Sequence, residues 1–463
     1  MNRRDLLQYS GLGALALSSL DGFAAEGGHG HGPAPKAKAK RVIQLFMAGG
    51  PPHMDLFDYK PRLAEFHGKD LPPSVLGADF KPSGMSSGQA RFTVLASPRK
   101  FAQFGKTGRW VSDALPYTAK IVDELGMIHS MYSDAINHEP AIMLMNTCAM
   151  FPGRPALGAW VSYGLGSLNA NLPSFVVLNS NLLPGTSGQP VTPRLWSSSF
   201  IPTQHAGVAL RSGRDPVLYL KNPEGMSPEL RRTLVDGINE QNGRTFDDWG
   251  DPETKARIAQ YEMASKMQMS VPELTDFSKE PQSTWDLYGP EAKIPGSFAY
   301  TCLMARRLAE RDVRFTQVYQ RGWDFHGGLN KDLPRLCAAT DRGTYALFTD
   351  LKQRGLLDDT LIVWGGEFGR TTYTQGGGDG RDHHAKCFTG WMAGAGIKPG
   401  ATHGATDDFA FNIVDGAVHP RDQVTTICHL LGIDASRLSK RVMGVDLKPT
   451  GVEPGKLIKT ILA

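Results

Sequence analysis

A chain of 463 residues is long enough for one large domain or two ordinary ones, and its 41% hydrophobic and 21% charged residues match a soluble globular protein. That balance excludes global disorder, a multi-span membrane protein and a coiled coil, while 52 Gly and 31 Pro point to many turns and long ordered loops. The net charge of +4 is matched by Lys36, Lys38, Lys40 and Arg41 alone. The remainder is near neutral and makes no case for a nucleic-acid partner.

At the N-terminus, Asn2-Arg3-Arg4-Asp5 precedes an apolar, small-residue run from Gly11 to Leu20 and the small pair Ala24-Ala25. This is the pattern of a cleaved export signal over residues 1–25, and the paired arginines indicate the twin-arginine route. The apolar run, about ten residues, is half of the roughly 20 that span a bilayer, so no stable span is expected in the mature chain. Localisation is therefore expected to be periplasmic or extracellular. Residues 26–40, rich in Gly, Ala, Pro and Lys, read as a linker. The five cysteines (Cys148, Cys302, Cys337, Cys387, Cys428) form no CxxC and read as buried small hydrophobes.

From residue 41 onward, strands alternate with helices. Arg41–Ala48 is apolar enough for a strand buried on both faces. Met127–Met131, Ser174–Leu178, Val313–Tyr319, Thr360–Trp364 and Phe388–Met392 follow as strands. Helices are expected from Pro140 and over 254–270, 292–311, Arg342–Gly355 and Asp422–Leu431. Residues 180–250 read as a loop-rich insertion or cap. The fold class is α/β, a mainly parallel central sheet with helices on both faces, forming one domain over 41–463.

In such sheets ligand sites lie just past the carboxyl ends of the strands. His53 and Asp55 follow the first strand, and Asn137-His138-Glu139 the second. Asp324 and His326 follow the strand ending at Tyr319, and Glu367 follows Trp364. Arg381-Asp382-His383-His384 stands in a Gly-rich loop ahead of a fifth strand. Turn formers would be Asn, Ser and Gly; recurring His and carboxylates instead point to a metal site. A mixed imidazole and carboxylate set suits Zn, Mn or Fe, singly or as a pair, over Ca or Mg. There is no GxGxxG after a strand, no GxxxxGK[ST], no HExxH and no GxSxG. Gly376–Gly380 reads as a flexible loop over the site.

Phe46-Met-Ala-Gly-Gly-Pro-Pro-His-Met-Asp-Leu-Phe-Asp58 resembles the opening motif of the DUF1501 proteins, which are related to sulfatases and the alkaline phosphatase superfamily. So do Asn137-His-Glu-Pro140, Phe151-Pro-Gly-Arg-Pro155, Trp323-Asp-Phe-His326, Trp364-Gly-Gly-Glu-Phe-Gly-Arg-Thr371 and Gly380-Arg-Asp-His383. The resemblance spans nearly all of 41–463 and implies an alkaline-phosphatase-like architecture. It implies that Asp55, Asp324, His326, Glu367 and His383 hold one or two metals; His53, two residues ahead of Asp55, is a candidate further ligand. It aligns Pro140 with the Pro that follows the sulfatase nucleophile by two residues, which puts His138 in the nucleophile position, where it has no hydroxyl or thiol to activate.

Three roles for His138 follow: direct nucleophile, metal ligand or general acid/base with attack by metal-bound water, or member of a site that only binds. Arg370 and Arg381 are expected to neutralise the anionic ester oxygens. The reading is an exported metal-dependent hydrolase of phosphate or sulfate esters, polysaccharide-linked ones included. The alternative is a catalytically degenerate ligand- or polysaccharide-binding protein on the same scaffold.

Overall fold

The computed structural model describes residues 34–82, 84–211 and 224–463. The expected export signal, 1–25, and most of the expected linker, 26–40, lie outside the described residues. Arg41–Ala48 is the central strand, β1, and every residue in it is buried. Its side chains alternate between two cores: Ile43, Leu45 and Met47 join one, Val42, Phe46 and Ala48 the other. A strand flanked by two cores needs the continuous apolar run that the sequence displays.

The other strands of the main sheet are β2 (Gly126–Met131), β3 (Phe175–Asn179), β4 (Val208–Leu210), β5 (Phe315–Arg321) and β6 (Thr360–Gly365). Then come β7 (Gly369–Thr374) and β8 (Arg381–His384), a separate antiparallel hairpin. β9 (Phe388–Gly394) and the short β10 (Thr402–His403) complete the sheet. Its order is β10-β2-β9-β6-β1-β5-β3-β4, and β9 runs against the seven others. The carboxyl ends of β1, β2, β5 and β6 thus share one edge. β9, being reversed, starts at that edge, so the segment before it also arrives there.

Helices cover both faces. One core takes α4 (Pro252–Thr275), α5 (Phe298–Glu310) and α6 (Leu329–Gln353); the other takes α1 (His138–Thr147), α2 (Leu157–Leu165) and α7 (Pro420–Leu430). Each fully buried Leu, Ile, Met or Phe in these layers contributes about 1.5–3 kcal/mol.

Three segments differ from the sequence expectation. The C-terminal part of 180–250 is a 22-residue helix, α3 (Pro228–Trp249), packed beside α4; Ser227 caps it by accepting from the Leu230 amide at 3.2 Å, and Gly250 ends it in the left-handed region. Helix α6 starts at Leu329, well before Arg342, although Pro334 lies inside it. Its cap comes from far along the chain: the Asp379 carboxylate accepts from the amides of Gly328 (2.7 Å) and Asn330 (3.2 Å). Gly376–Gly380, expected as a flexible loop, is the tight connection of the β7–β8 hairpin.

Candidate metal centre

The turn after β1 organises the carboxyl edge. Gly49 and Gly50 have φ of +123° and +77°, and a Cβ on Gly49 would lie 2.5 Å from the Asp324 amide nitrogen. Only glycine lets the two loops touch. The Gly49 amide donates to Glu367 Oε1 at 2.8 Å, and the carbonyls of Gly49 and Gly50 accept from the Arg370 guanidinium. The Gly-Gly segment fixes the two side chains that in turn fix the site.

Four residues from three places in the chain converge there. His138 opens α1, Asp324 and His326 follow β5, and His383 lies in β8. One ligand atom from each falls within 4.8 Å of all the others. Asp324 Oδ1 is the hub, at 3.0 Å from His326 Nε2, 3.3 Å from His138 Nε2 and 3.5 Å from His383 Nε2. The Nε2 atoms of His326 and His383 are 3.0 Å apart. Phe368, fully buried, packs on the rings of His138 and His383.

The outer nitrogen of each ring meets an acceptor. His383 Nδ1 lies 2.7 Å from the Ile136 carbonyl oxygen and His138 Nδ1 2.7 Å from Glu367 Oε1, while His326 Nδ1 meets Gln375 Oε1. A carbonyl or carboxylate oxygen only accepts, so these Nδ1 atoms carry hydrogen, and in the neutral rings the Nε2 lone pairs face inward. Inward lone pairs then confront one another and a carboxylate oxygen, an arrangement that a proton or a cation must relieve. His138 Nε2 and Glu367 Oε2 are buried without hydrogen-bond partners. Orphaned donor atoms of this kind, with tautomers already set, fit a divalent ion bound by three nitrogens and one oxygen.

Burial alone would raise the Asp324 pKa, but the three imidazoles and the Arg370 guanidinium hold it well below the usual carboxylate range. For His138, burial opposes the charged form, yet contact with Asp324 and Glu367 leaves its pKa raised.

The remaining expected residues take other positions. Glu367 stands behind His138, outside the four-residue cluster. Asp55 is not beside it: its two oxygens receive Arg381 Nε at 2.8 Å and Nη2 at 3.0 Å, a fully buried ion pair. Arg381 Nη1 and Nη2 also reach the carbonyls of Thr371 and Leu95, so the guanidinium is a brace, not a substrate contact. Arg370 is likewise fully buried and is engaged by Gly49, Gly50, the Arg381 carbonyl and, at 2.6 Å, Asp324 Oδ1. Asp55, expected as a ligand, thus stands apart from the cluster, and both arginines, expected at ester oxygens, are engaged within the fold. His53 is apart too, with Nε2 2.9 Å from the Ala410 carbonyl and 3.6 Å from Cys387 Sγ. His384 turns to the Phe411 carbonyl.

Two residues escaped the sequence reading. Gln189, in the 180–211 loop, donates to Asp324 Oδ2 at 2.7 Å, and Gln375 holds His326. Glutamines in loops carry no periodic or motif signal. His326 is the most open member of the centre, with a quarter of its side chain exposed.

The fold and this centre define an α/β domain with a candidate metal site at the carboxyl edge of its sheet. The chain belongs to the DUF1501 family, described as proteins of unknown function, whose model matches residues 39–462. No curated protein matches. Among solved structures, the chain is similar to a protein of the alkaline phosphatase superfamily from Vibrio parahaemolyticus (11% identity, 88% of this chain and 70% of that one, TM-score 0.37). It is also similar to the C-terminal periplasmic domain of EcEptC from Escherichia coli, in complex with Zn (9% identity, 87% and 86%, TM-score 0.32). A third is the PsFucS1 sulfatase from Pseudoalteromonas sp. (13% identity, 91% and 71%, TM-score 0.31). Among the described residues no helix is long and apolar enough to cross a membrane.

Proposed function

We propose that this chain is a metal-dependent hydrolase of phosphate or sulfate esters, acting outside the cytoplasm on anionic substrates that include polysaccharide-linked esters. The observation that carries the reading is the convergence of three imidazole Nε2 atoms and Asp324 Oδ1, each ring held from behind by an acceptor. The donor set favours one ion, Zn, Mn or Fe, because its four ligand atoms cluster around one point and Asp55 lies outside them. When bound, such an ion supplies Lewis acidity toward an ester oxygen and acidifies water.

The protein's own groups set the stage. Glu367 takes the Nδ1 hydrogen of His138 and fixes that ring. Arg370 and Gln189 hold the two Asp324 oxygens. Arg370 keeps the carboxylate charged, and Gln189 brings the 180–211 loop to the rim where a substrate enters. No side chain of the cluster offers a hydroxyl or thiol. Cys148 ends α1 at its C-terminus, and burial pushes its thiol up to about 12, so it supplies no thiolate. Both facts support hydrolysis without a covalent protein intermediate.

A second reading is favoured by the donor count, since four protein ligands are what a closed structural zinc site uses. Metal content and turnover separate the two. Near-stoichiometric Zn, Mn or Fe with turnover on a panel of aryl phosphates and sulfates, lost in His383→Ala, supports the hydrolase. Full metal without turnover on any ester selects the structural reading. Protein purified without chelator that holds no metal removes both.

A further inference from the structure

A second cavity lies away from the metal centre, between the Phe101–Ser112 hairpin, β2 and the turn ahead of β10. Its volume is about 450 Å³, within the range of small-ligand sites, and it shares no residue with the histidine cluster. Tyr59 and Trp110 form its aromatic wall. They are 36% and 39% exposed, with ring centroids 4.6 Å apart and planes tilted by 42°. Phe101 backs Tyr59 at 4.9 Å. The polar wall carries His129, Asp58 and Thr402. His129 Nδ1 lies 3.4 Å from Thr389 Oγ1, and its Nε2 has no hydrogen bond among the described residues.

The charges around this cavity are already answered. Arg109 donates to the carbonyls of Val122, Leu125, Gly400 and Ala401 and to Thr402 Oγ1. Asp58 is paired with Lys60 at 3.1 Å and accepts from Thr406. Burial favours the neutral form of His129. No uncompensated charge therefore waits for an anionic or cationic ligand. An apolar wall facing hydroxyl, imidazole and carboxylate groups fits a ring with one C–H face and a rim of hydroxyls. The aromatic groups stand on a single wall and do not form the sandwich that a flat base would fill.

We infer that this cavity binds a neutral sugar ring, stacked on Trp110 and Tyr59 and hydrogen-bonded by His129, Asp58 and Thr402. It is a separate site from the metal centre, so an extended saccharide would be held here independently of any chemistry there.

Isothermal titration of the full chain with maltose, cellobiose, lactose and N,N′-diacetylchitobiose tests it, with adenosine and glucose 6-phosphate as competing classes. The expected result is millimolar or tighter binding of at least one neutral disaccharide, insensitive to added salt. Trp110→Ala and Tyr59→Ala should each weaken that binding by about tenfold, the order of one stacking ring, in protein shown by circular dichroism to be folded at the temperature of the titration. Asp324→Asn should leave it intact. Absence of heat with every neutral sugar, preference for adenosine or for the phosphorylated sugar, or equal binding in Trp110→Ala and wild type would each overturn the inference.

Discussion

Asp324 Oδ1 has three imidazole nitrogens and a guanidinium around one oxygen, and this crowding sets the expectations for single substitutions. Removing its charge in Asp324→Asn should abolish stoichiometric metal in purified protein, read by elemental analysis. Glu367→Gln keeps the shape behind His138 but weakens the acceptor, and such outer partners are each worth about 10- to 100-fold in metal affinity. A competition titration with a chromogenic chelator reads that loss; unchanged affinity would place Glu367 outside the centre's support. Asp55→Asn behaves differently. It leaves the Arg381 charge buried without its partner, at a cost of about 3–5 kcal/mol, while metal per folded chain stays unchanged. A urea midpoint combined with metal analysis distinguishes the two classes. His205 gives a pH signature. Burial lowers its pKa from 6.5 to about 4, with Nδ1 2.8 Å from Ser162 Oγ. Between those values the unfolded chain takes up the proton first, so stability falls as pH drops. The slope is up to about 1 kcal/mol per pH unit after allowing for the ring's partial exposure. His205→Asn should flatten that part of the stability profile between neutral and mildly acid pH.

The β7–β8 hairpin unites elements that the sequence keeps apart. It delivers His383, Arg370 and Arg381 to the carboxyl edge, and its turn supplies Gln375 to His326 and Asp379 to the start of α6. A Cβ on Gly380 would lie 1.9 Å from the His326 carbonyl oxygen. Gly380→Ala should therefore destabilise the fold by about 2 kcal/mol or more, through a steric clash with no room to relax, and weaken metal binding through displaced His326. Chemical denaturation and metal titration check both effects.

The same hairpin marks where the sequence stopped being legible. The strands read at Arg41–Ala48 and Thr360–Trp364 are legible because burial on both faces writes an unbroken apolar run. His326 and His383 stood out as imidazoles next to strand ends. The partners of Asp55 did not, because whether a carboxylate meets a metal or Arg381 depends on packing between segments hundreds of residues apart. Helix α6 was read short for a related reason: its cap, Asp379, comes after it in the chain. In 180–250, proline and glycine frequency suggested loops, yet Ser227, Pro228 and Gly250 fall at the ends of α3, where they delimit a helix.

For the whole molecule, a cation held by His138, Asp324, His326 and His383 would tie β5, α1 and the hairpin together, so its binding would belong to global stability. Ligand that binds only the folded state stabilises by about 4 kcal/mol at a thousandfold excess over its dissociation constant. Chelator should lower the melting temperature measurably, and one equivalent of Zn, Mn or Fe should restore it. A melting curve indifferent to chelator would argue that no ion bridges these elements.

The position of β1 has a further consequence, in the order of assembly. The first strand of the domain is also its middle one, and it pairs with Phe315–Arg321 on one side and Thr360–Gly365 on the other. During synthesis this greasy segment emerges early and waits for neighbours made hundreds of codons later. Such distant pairing makes folding slow and leaves nascent chains prone to clumping. Fragments that stop before residue 360 should therefore accumulate as insoluble material to a greater extent than the 463-residue chain.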